Sequence, residues 1–487
     1  MAQHTNSNSV AQSFYWHDYE TFGAQPAVDR PVQFAGIRTD WDLNPIGEPL
    51  MIFCRPADDF LPQPDACLIT GITPQQALSE GVCEAEFMAT IHAELAQPGT
   101  CGVGYNSLRF DDEVTRYGLY RNFFDPYGRE WQNGNSRWDI IDMLRMARAL
   151  RPDGIVWPSY EDGTPSLRLE DLTRANGLAH EAAHDALSDV YATIAVARLV
   201  KQQQPRLFDY ALKLRDKRYV ASLLDLVRFK PLLHISSKYS AAVSNTALIA
   251  PLAAHPVNRN AVIVYDLSVD PTPLLTQPAE TIRAKLYTPT AQLAEGEARI
   301  PLKLVHLNKS PMLAPATMLT PDDAERLQIS GDACRKHLAQ LRAAVGLAEK
   351  LQQIFTDEGF ADGGDPDLML YSGGFFGPGD KAVMDEIRNT PPELLEELKP
   401  AFQDGRLEEM LFRYRARNYP DTLNGVEPRQ WEQWRRQRLI EQPPRGALNY
   451  EGFYARLNQL GAEFGHDPAK LHLLQELAAY GESIYPV

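Results

Sequence analysis

Asp18 and Glu20 lie two residues apart in Trp16-His-Asp-Tyr-Glu-Thr-Phe-Gly23. If Phe14–Glu20 is a strand, its period of two puts both carboxylates on one face. Adjacent acids repel unless something neutralises them. Hard oxygen ligands of this kind suit Mg²⁺ or Mn²⁺. A D-x-E pair standing alone is more often a solvated strand end. Asp111, in Gly104-Tyr-Asn-Ser-Leu-Arg-Phe-Asp-Asp-Glu-Val114, opens a helix expected to reach Tyr120. By itself it could be an N-cap or a first-turn partner of the helix dipole. In His184-Asp-Ala-Leu-Ser-Asp189, Asp189 sits on an apolar-rich helix and needs a partner there. His184, just ahead of that helix, could take a proton from an activated water, or could simply be a surface histidine.

Together the order D-x-E … D … H-x-x-x-x-D supplies what a two-metal site requires. Asp18 can bridge both ions, Glu20 and Asp189 can hold the ion nearer the attacking water, and Asp111 can help hold the other. Ions about 3.5–4 Å apart clamp the attacking and leaving oxygens of a phosphodiester. His184 is then the general base, and the metals reverse the sign of the acidic site toward a polyanion. One competing pattern is His180-Glu-Ala-Ala-His184, which matches the H-E-x-x-H zinc-protease motif. Asn176-Gly177 break a helix just upstream, position 190 is Val190, and no glutamate occurs between Glu181 and Glu280. A third zinc ligand is therefore missing, and we read the match as chance.

The elements that must position these groups follow from local patterns. Phe14–Tyr19 and Gln33–Arg38 read as strands. Thr73-Pro74-Gln75-Gln76 is a helix start with Thr as N-cap and Pro at N1. Ile140–Leu150, Ser166–Gly177 and Asp185–Val200 read as helices, so residues 1–200 should form an α/β domain with a mixed sheet. Ala261–Leu267 and Leu302–Leu307 are short β runs. One helix is expected from Pro321 to about Phe355, capped by Thr320. The remainder reads as mostly helical, with starts at Thr390-Pro-Pro-Glu and Asp467-Pro-Ala-Lys and with Trp431 and Trp434 on one helix face.

Charge divides the chain the same way. Residues 1–200 hold 14 Arg, no Lys and 28 Asp+Glu, a net of −14. Residues 201–355 carry a net of +7 and residues 356–487 a net of −9, within a total of −16 over 487 residues. We place domain boundaries near Lys201-Gln-Gln-Gln-Pro205 and within Thr356–Asp367, giving domains 1–200, 201–355 and 356–487. The acidic average argues against a nucleic-acid partner, but the basic middle third does not. Five cysteines without a C-x-x-C pair exclude a disulfide scaffold and a thiolate zinc site and fit a reducing cytoplasm. No signal peptide or membrane span is expected.

The five-residue pattern resembles that of the DEDDh exonucleases, which have a ribonuclease-H-like fold. Within them the chain is similar to the bacterial exodeoxyribonuclease I group. The matching stretches are YETFGAQPAVDRPVQFAGIRTD, GYNSLRFDDEVTRY, NSRWDIIDMLRMARALRPDGI, AHDALSDVYATIA, APLAAHPVNRNAVIV, PLKLVHLNKSPMLAP and LFRYRARNYPDTL, which cover nearly the whole chain. The resemblance implies Mg²⁺-dependent, processive 3′→5′ hydrolysis of single-stranded DNA to mononucleotides, with two ions for which Mn²⁺ may substitute. It also implies a Src-homology-type β-barrel in the middle and an all-α third domain. Cations and aromatic faces suit phosphates and bases. The candidate strand contacts are therefore Arg116, Tyr127, Trp131, Arg145, Arg168, Asn260 and Lys303, besides Glu20 at the site. A single-stranded-DNA-binding protein is the implied partner, through its acidic tail, with Arg151 and Lys230 as candidate docks. A monomer is expected. RNA or oligonucleotide hydrolysis, and a non-catalytic strand-binding scaffold, remain the alternative readings.

Overall fold

The computed structural model describes residues 12–180, 185–289, 292–293, 299–356 and 364–487. The chain forms two compact units: residues 1–136, 180–194 and 360–487, and residues 137–179 and 195–359.

In the first unit, β1 (Ser13–Thr21), β2 (Pro31–Thr39) and β3 (Pro45–Phe53) form an antiparallel meander. Strand β4 (Thr100–Gly104) pairs parallel with β1, so the order β3-β2-β1-β4 makes a mixed sheet with β1 inside it. Alternation sorts the residues of β1. Tyr15 and Tyr19 enter a core with Phe34, Phe87, Met88, Ile91 and Val114. Helices α1 (Glu84–Leu95) and α2 (Asp111–Arg121) contribute to that core. The opposite parity carries Phe14, Trp16, Asp18 and Glu20 on the other face. Helix α3 (Ala186–Gln203) begins in this unit. The helix expected after Thr73 runs Pro74–Glu80, with the Thr73 side chain accepting from the Gln76 N–H.

The helices Arg406–Asn418, Glu427–Arg436, Tyr450–Glu463 and Pro468–Ser483 belong to this same unit. Leu457, Leu474, Leu477 and Tyr480 share one core with Phe22, Val32 and Phe60. A buried charge network adds to the join. Arg417 Nη2 lies 2.8 Å from Asp59 and 2.5 Å from Asp367, and Arg413 lies 3.1 Å from Asp367. All four side chains are between 0 and 3% exposed. Burial pushes both carboxyls up, but the guanidiniums, Arg417 foremost, hold them well below the usual carboxylate range. Arg417→Met would take from the buried Asp59 and Asp367 the guanidinium nearest to both. We expect a loss of about 3–5 kcal/mol in denaturant unfolding. A loss under about 1 kcal/mol, the scale of a surface pair, would mean that the network is solvated.

In the second unit, β5 (Ser136–Asp139) leads into the helix Ile140–Leu150, capped by Asp139. A five-stranded antiparallel sheet follows, made of β6 (Leu232–Ile235), β7 (Thr246–Ala254), β8 (Ala261–Asp266), β9 (Leu302–His306) and β10 (Met312–Pro315). Its order is β10-β6-β7-β8-β9. The single helix expected from Pro321 to Phe355 is three: Pro321–Arg326, Gly331–Ala343 and Leu347–Phe355. Gln328 takes φ 55° and Gly346 φ 74°, both left-handed, and Ser330 caps a fresh start by accepting from the Ala333 N–H. The helix expected over Ser166–Gly177 is shorter, Leu169–Ala175, because Ser166 turns its hydroxyl to Asp171 at 2.5 Å ahead of the first turn. Thr390-Pro-Pro-Glu opens only the turn Pro392–Leu394. Among the described residues, no helix is long and apolar enough to cross a membrane. All five cysteines are buried and free.

Candidate active site

Three elements of the first unit bring four carboxylates together. Asp18 and Glu20 lie opposite Ala35 and Gln33 of β2, on the same face of β1. Pairing of β1 with β4 stops at Trp16–Val103. Beyond it the main-chain N–H of Tyr19 donates to Asp111 Oδ1 at 3.2 Å. The turn between β4 and α2 is tight. A Cβ on Gly104 would lie 2.7 Å from the Ser107 Cβ and 3.0 Å from the His17 carbonyl. Asn106 takes φ 62° on the way. Of the neighbouring acids, Asp112 pairs with Arg129 at 2.6 Å while Asp111 faces β1. Asp189 comes from the first turn of α3, where Asp185 accepts from the Ser188 N–H at 2.9 Å.

One oxygen each of Asp18, Glu20 and Asp189 lies within 4.8 Å of the other two. Burial first, then the acids Asp111, Glu20 and Asp189, raises the Asp18 carboxyl well above its ordinary range. Burial, then Asp189, Asp111 and Asp185, pushes Glu20 up to about 8. Asp111 is pushed up to about 7, again mainly by burial. Mutually repelling, desolvated carboxylates with converging oxygens form a donor set that a hard divalent cation would relieve. The residues therefore fit a divalent metal.

His180 Nε2 lies 2.6 Å from Asp189 Oδ1. Its side chain is 6% exposed. The sequence marks His180 only as part of the H-E-x-x-H match. Nothing in a spacing of nine residues announces a contact with Asp189. His184, expected as the general base, lies outside the described residues.

The expected strand contacts divide between the units. In the first, Arg116 is 4% exposed, and its donors go to Glu113 and Glu130, both at 2.7 Å, and to the Tyr371 hydroxyl. It also stands 5.2 Å from the centre of the half-buried Tyr127 ring. Trp131 is 66% exposed. In the second unit, Arg145 pairs with Asp142 at 2.5 Å. Arg168 is 66% exposed and stands 5.8 Å from the Tyr160 ring centre. It comes nearer Glu170, at 3.8 Å, whereas Asp171 is taken by Ser166 and Arg174. Asn260 accepts from Lys217, and Lys303 lies 4.9 Å from the Tyr239 ring centre. The sequence reading passed over Tyr371 and Phe375; the pair Phe375-Phe376 within Gly-Gly-Phe-Phe-Gly is a signal that could have found them.

Known proteins match along the chain. The family described as "Exonuclease" covers residues 15–197, "Exonuclease I SH3-like domain" residues 215–357, and "Exonuclease I C-terminal domain" residues 364–484. Exodeoxyribonuclease I of Escherichia coli K12 is 48% identical over 480 residues, 98% of this chain and 99% of that protein. E. coli exonuclease I in complex with a dA16 oligonucleotide superposes with a TM-score of 0.93 at 49% identity, over 97% of this chain and 100% of that one. A zinc-bound E. coli exonuclease I–single-stranded DNA complex gives 0.91 at 49% identity, over 97% and 99%. A structure of SSB/exonuclease I with the inhibitor CFAM gives 0.89 at 48% identity, over 97% and 100%.

Proposed function

The chain belongs to the exodeoxyribonuclease I family and is a nuclease; from that premise we propose that it degrades single-stranded DNA from the 3′ end to 5′-mononucleotides, using Mg²⁺. The observation that carries this reading is the convergence of Asp18, Glu20 and Asp189 oxygens within 4.8 Å, beside an Asp111 held against the same strand. Bound there, a divalent pair would supply charge stabilisation to the phosphoryl oxygens and acidify water. Asp18, Glu20, Asp111 and Asp189 are the groups that hold it. The His184 imidazole accepts the proton of the attacking water, and the exposed fork of Arg168 grips a phosphate near the strand's end. Asn260 and Lys303 line the strand's path on the basic second unit. DNA repair in the cytoplasm is the setting we propose.

Single-stranded DNA labelled at either end, duplex DNA and RNA, incubated with and without Mg²⁺, test the reading. Mononucleotide release from the 3′ end of single strands alone is expected. RNA digested as fast as DNA would favour the broader substrate. Binding without hydrolysis would favour a strand-binding scaffold.

We also propose a dock for the acidic tail of a single-stranded-DNA-binding protein. A cavity of about 490 Å³ in the second unit is lined by Arg151, Arg206, Tyr210, Met146, Leu150 and Leu207. Two guanidiniums over an apolar floor suit an acidic peptide. Lys230, the other candidate, is exposed. Arg151→Ala should weaken tail-peptide binding about tenfold or more in fluorescence anisotropy. Unchanged binding there, with a loss in Lys230→Ala, would move the dock.

A further inference from the structure

We propose that the buried guanidiniums of Arg30 and Arg121 hold a monovalent anion of about the size of chloride, and that this anion fastens β2 and α2 to each other inside the first unit. Arg30 stands directly ahead of β2, where its carbonyl accepts from the Phe22 N–H at 2.9 Å. Arg121 closes α2. The two residues are 4% and 3% exposed, so neither can turn its charge to solvent. Arg121 gives Nε and Nη2 to Glu84, at 3.4 and 2.6 Å, and its Nη1 has no hydrogen-bond partner. Arg30 is served less well. Its Nη1 donates to the Val28 carbonyl at 3.4 Å. Its Nη2 lies 3.9 Å from Asp59, beyond hydrogen-bonding reach. Both Nη2 and Nε have no partner.

Charge is short at the same place. Among the described residues, Asp59 is the one acid within 4 Å of Arg30, and it is shared with Arg417 at 2.8 Å and Arg438 at 3.9 Å. Arg417 has Asp367 besides, and Arg438 has Asp365, whereas Arg30 has no second carboxylate. Burial first, then the Arg121 guanidinium, pushes Arg30 down to about 9, although Asp59 and Glu84 pull the other way. Like charges repel strongly at this depth. An anion answers both deficits. It accepts from several N–H groups at once and brings the missing negative charge, whereas a water completes the hydrogen bonds alone. Three open donors suit a single atom better than a phosphate, whose four oxygens would each need a partner. Asp59 Oδ1, also unpartnered, is an acceptor and falls to a water instead.

The test is thermal melting of the full chain as chloride replaces gluconate at fixed ionic strength. An anion bound only by the folded state stabilises it by mass action. Each tenfold rise in chloride above its dissociation constant should therefore favour the folded state about tenfold, read as a steady climb in melting temperature. Arg30→Met should abolish that climb. A bromide-soaked crystal of the parent protein, which needs no variant to fold, should show an anomalous peak between the Arg30 and Arg121 side chains. A parent that melts alike in the two salts, or a crystal without that peak, would overturn the site and leave water as the partner of these donors. A climb that survives undiminished in Arg30→Met would overturn it as well, since the responsive anion would then sit elsewhere.

Discussion

Asp18→Ala and Asp189→Ala are each expected to lower hydrolysis by about 10³-fold or more, while strand binding in EDTA stays near that of the parent. Asp18 has Asp111, Glu20 and Asp189 around it, and Asp189 is its partner from α3, so each removal takes an oxygen from the cluster in which a metal would be held. The same substitutions carry an opposite expectation for stability. An acid whose folded pKa lies above its unfolded value gains a proton on folding. The metal-free protein therefore loses stability as pH rises from about 4, the unfolded carboxylate value, toward the value of about 8 reached by Glu20. Removing one acid relieves the others, so Asp18→Ala in EDTA near pH 8 should melt above the parent. Mn²⁺ should raise the melting temperature of the parent and do little for the variant. Near-normal turnover in either variant, or an undiminished Mn²⁺ response, would sink the assignment of these carboxylates to a metal. The trade of stability for a charged, strained site is a general one.

How far this site could be read from the sequence depended on the range of the signal. The face shared by Asp18 and Glu20 follows from a period of two, and β1 realises it. The Asp111 start of α2 and the Asp467 cap of the last helix are local too, and both stand where the pattern puts them. Local signals misled where a break was weakly marked. Ser330 and Gly346 cut one periodic run into three helices, because a serine cap and a left-handed glycine outweigh a continuous apolar stripe. Long-range pairs left no local trace. Arg417 and Asp59 are 358 positions apart, and their buried pairing helps place the C-terminal helices in one unit with the strand that carries Asp18 and Glu20. The aromatic contacts around Tyr127 were half legible: Tyr127 stands out near Asp111, whereas Tyr371 and Phe375 reach it from 244 or more residues on. Charge behaved similarly. The net −16 of the chain includes four mutually repelling acids, Asp18, Glu20, Asp111 and Asp189, that suit a cation, so the average sign says little about the partner.

The proton acceptor is the other residue whose loss should be large. His184→Ala is expected to lower kcat by ~10²–10⁴-fold, the usual contribution of a positioned general base. His180 is the rival, since its Nε2 lies 2.6 Å from Asp189 Oδ1. That contact argues against it as the base. A histidine bonded to a carboxylate that must hold metal is engaged with the ligand and not with water, and such partners orient ligands. His180→Ala should therefore act chiefly on metal affinity, read as a higher Mn²⁺ concentration for half-maximal rate and a smaller Mn²⁺-induced rise in melting temperature. At saturating metal its kcat should recover most of the parent value, and that of His184→Ala should not. Free imidazole should restore part of the rate to His184→Ala alone. If instead His180→Ala loses the larger share of kcat at saturating metal, and imidazole rescues that variant, the two histidines exchange roles.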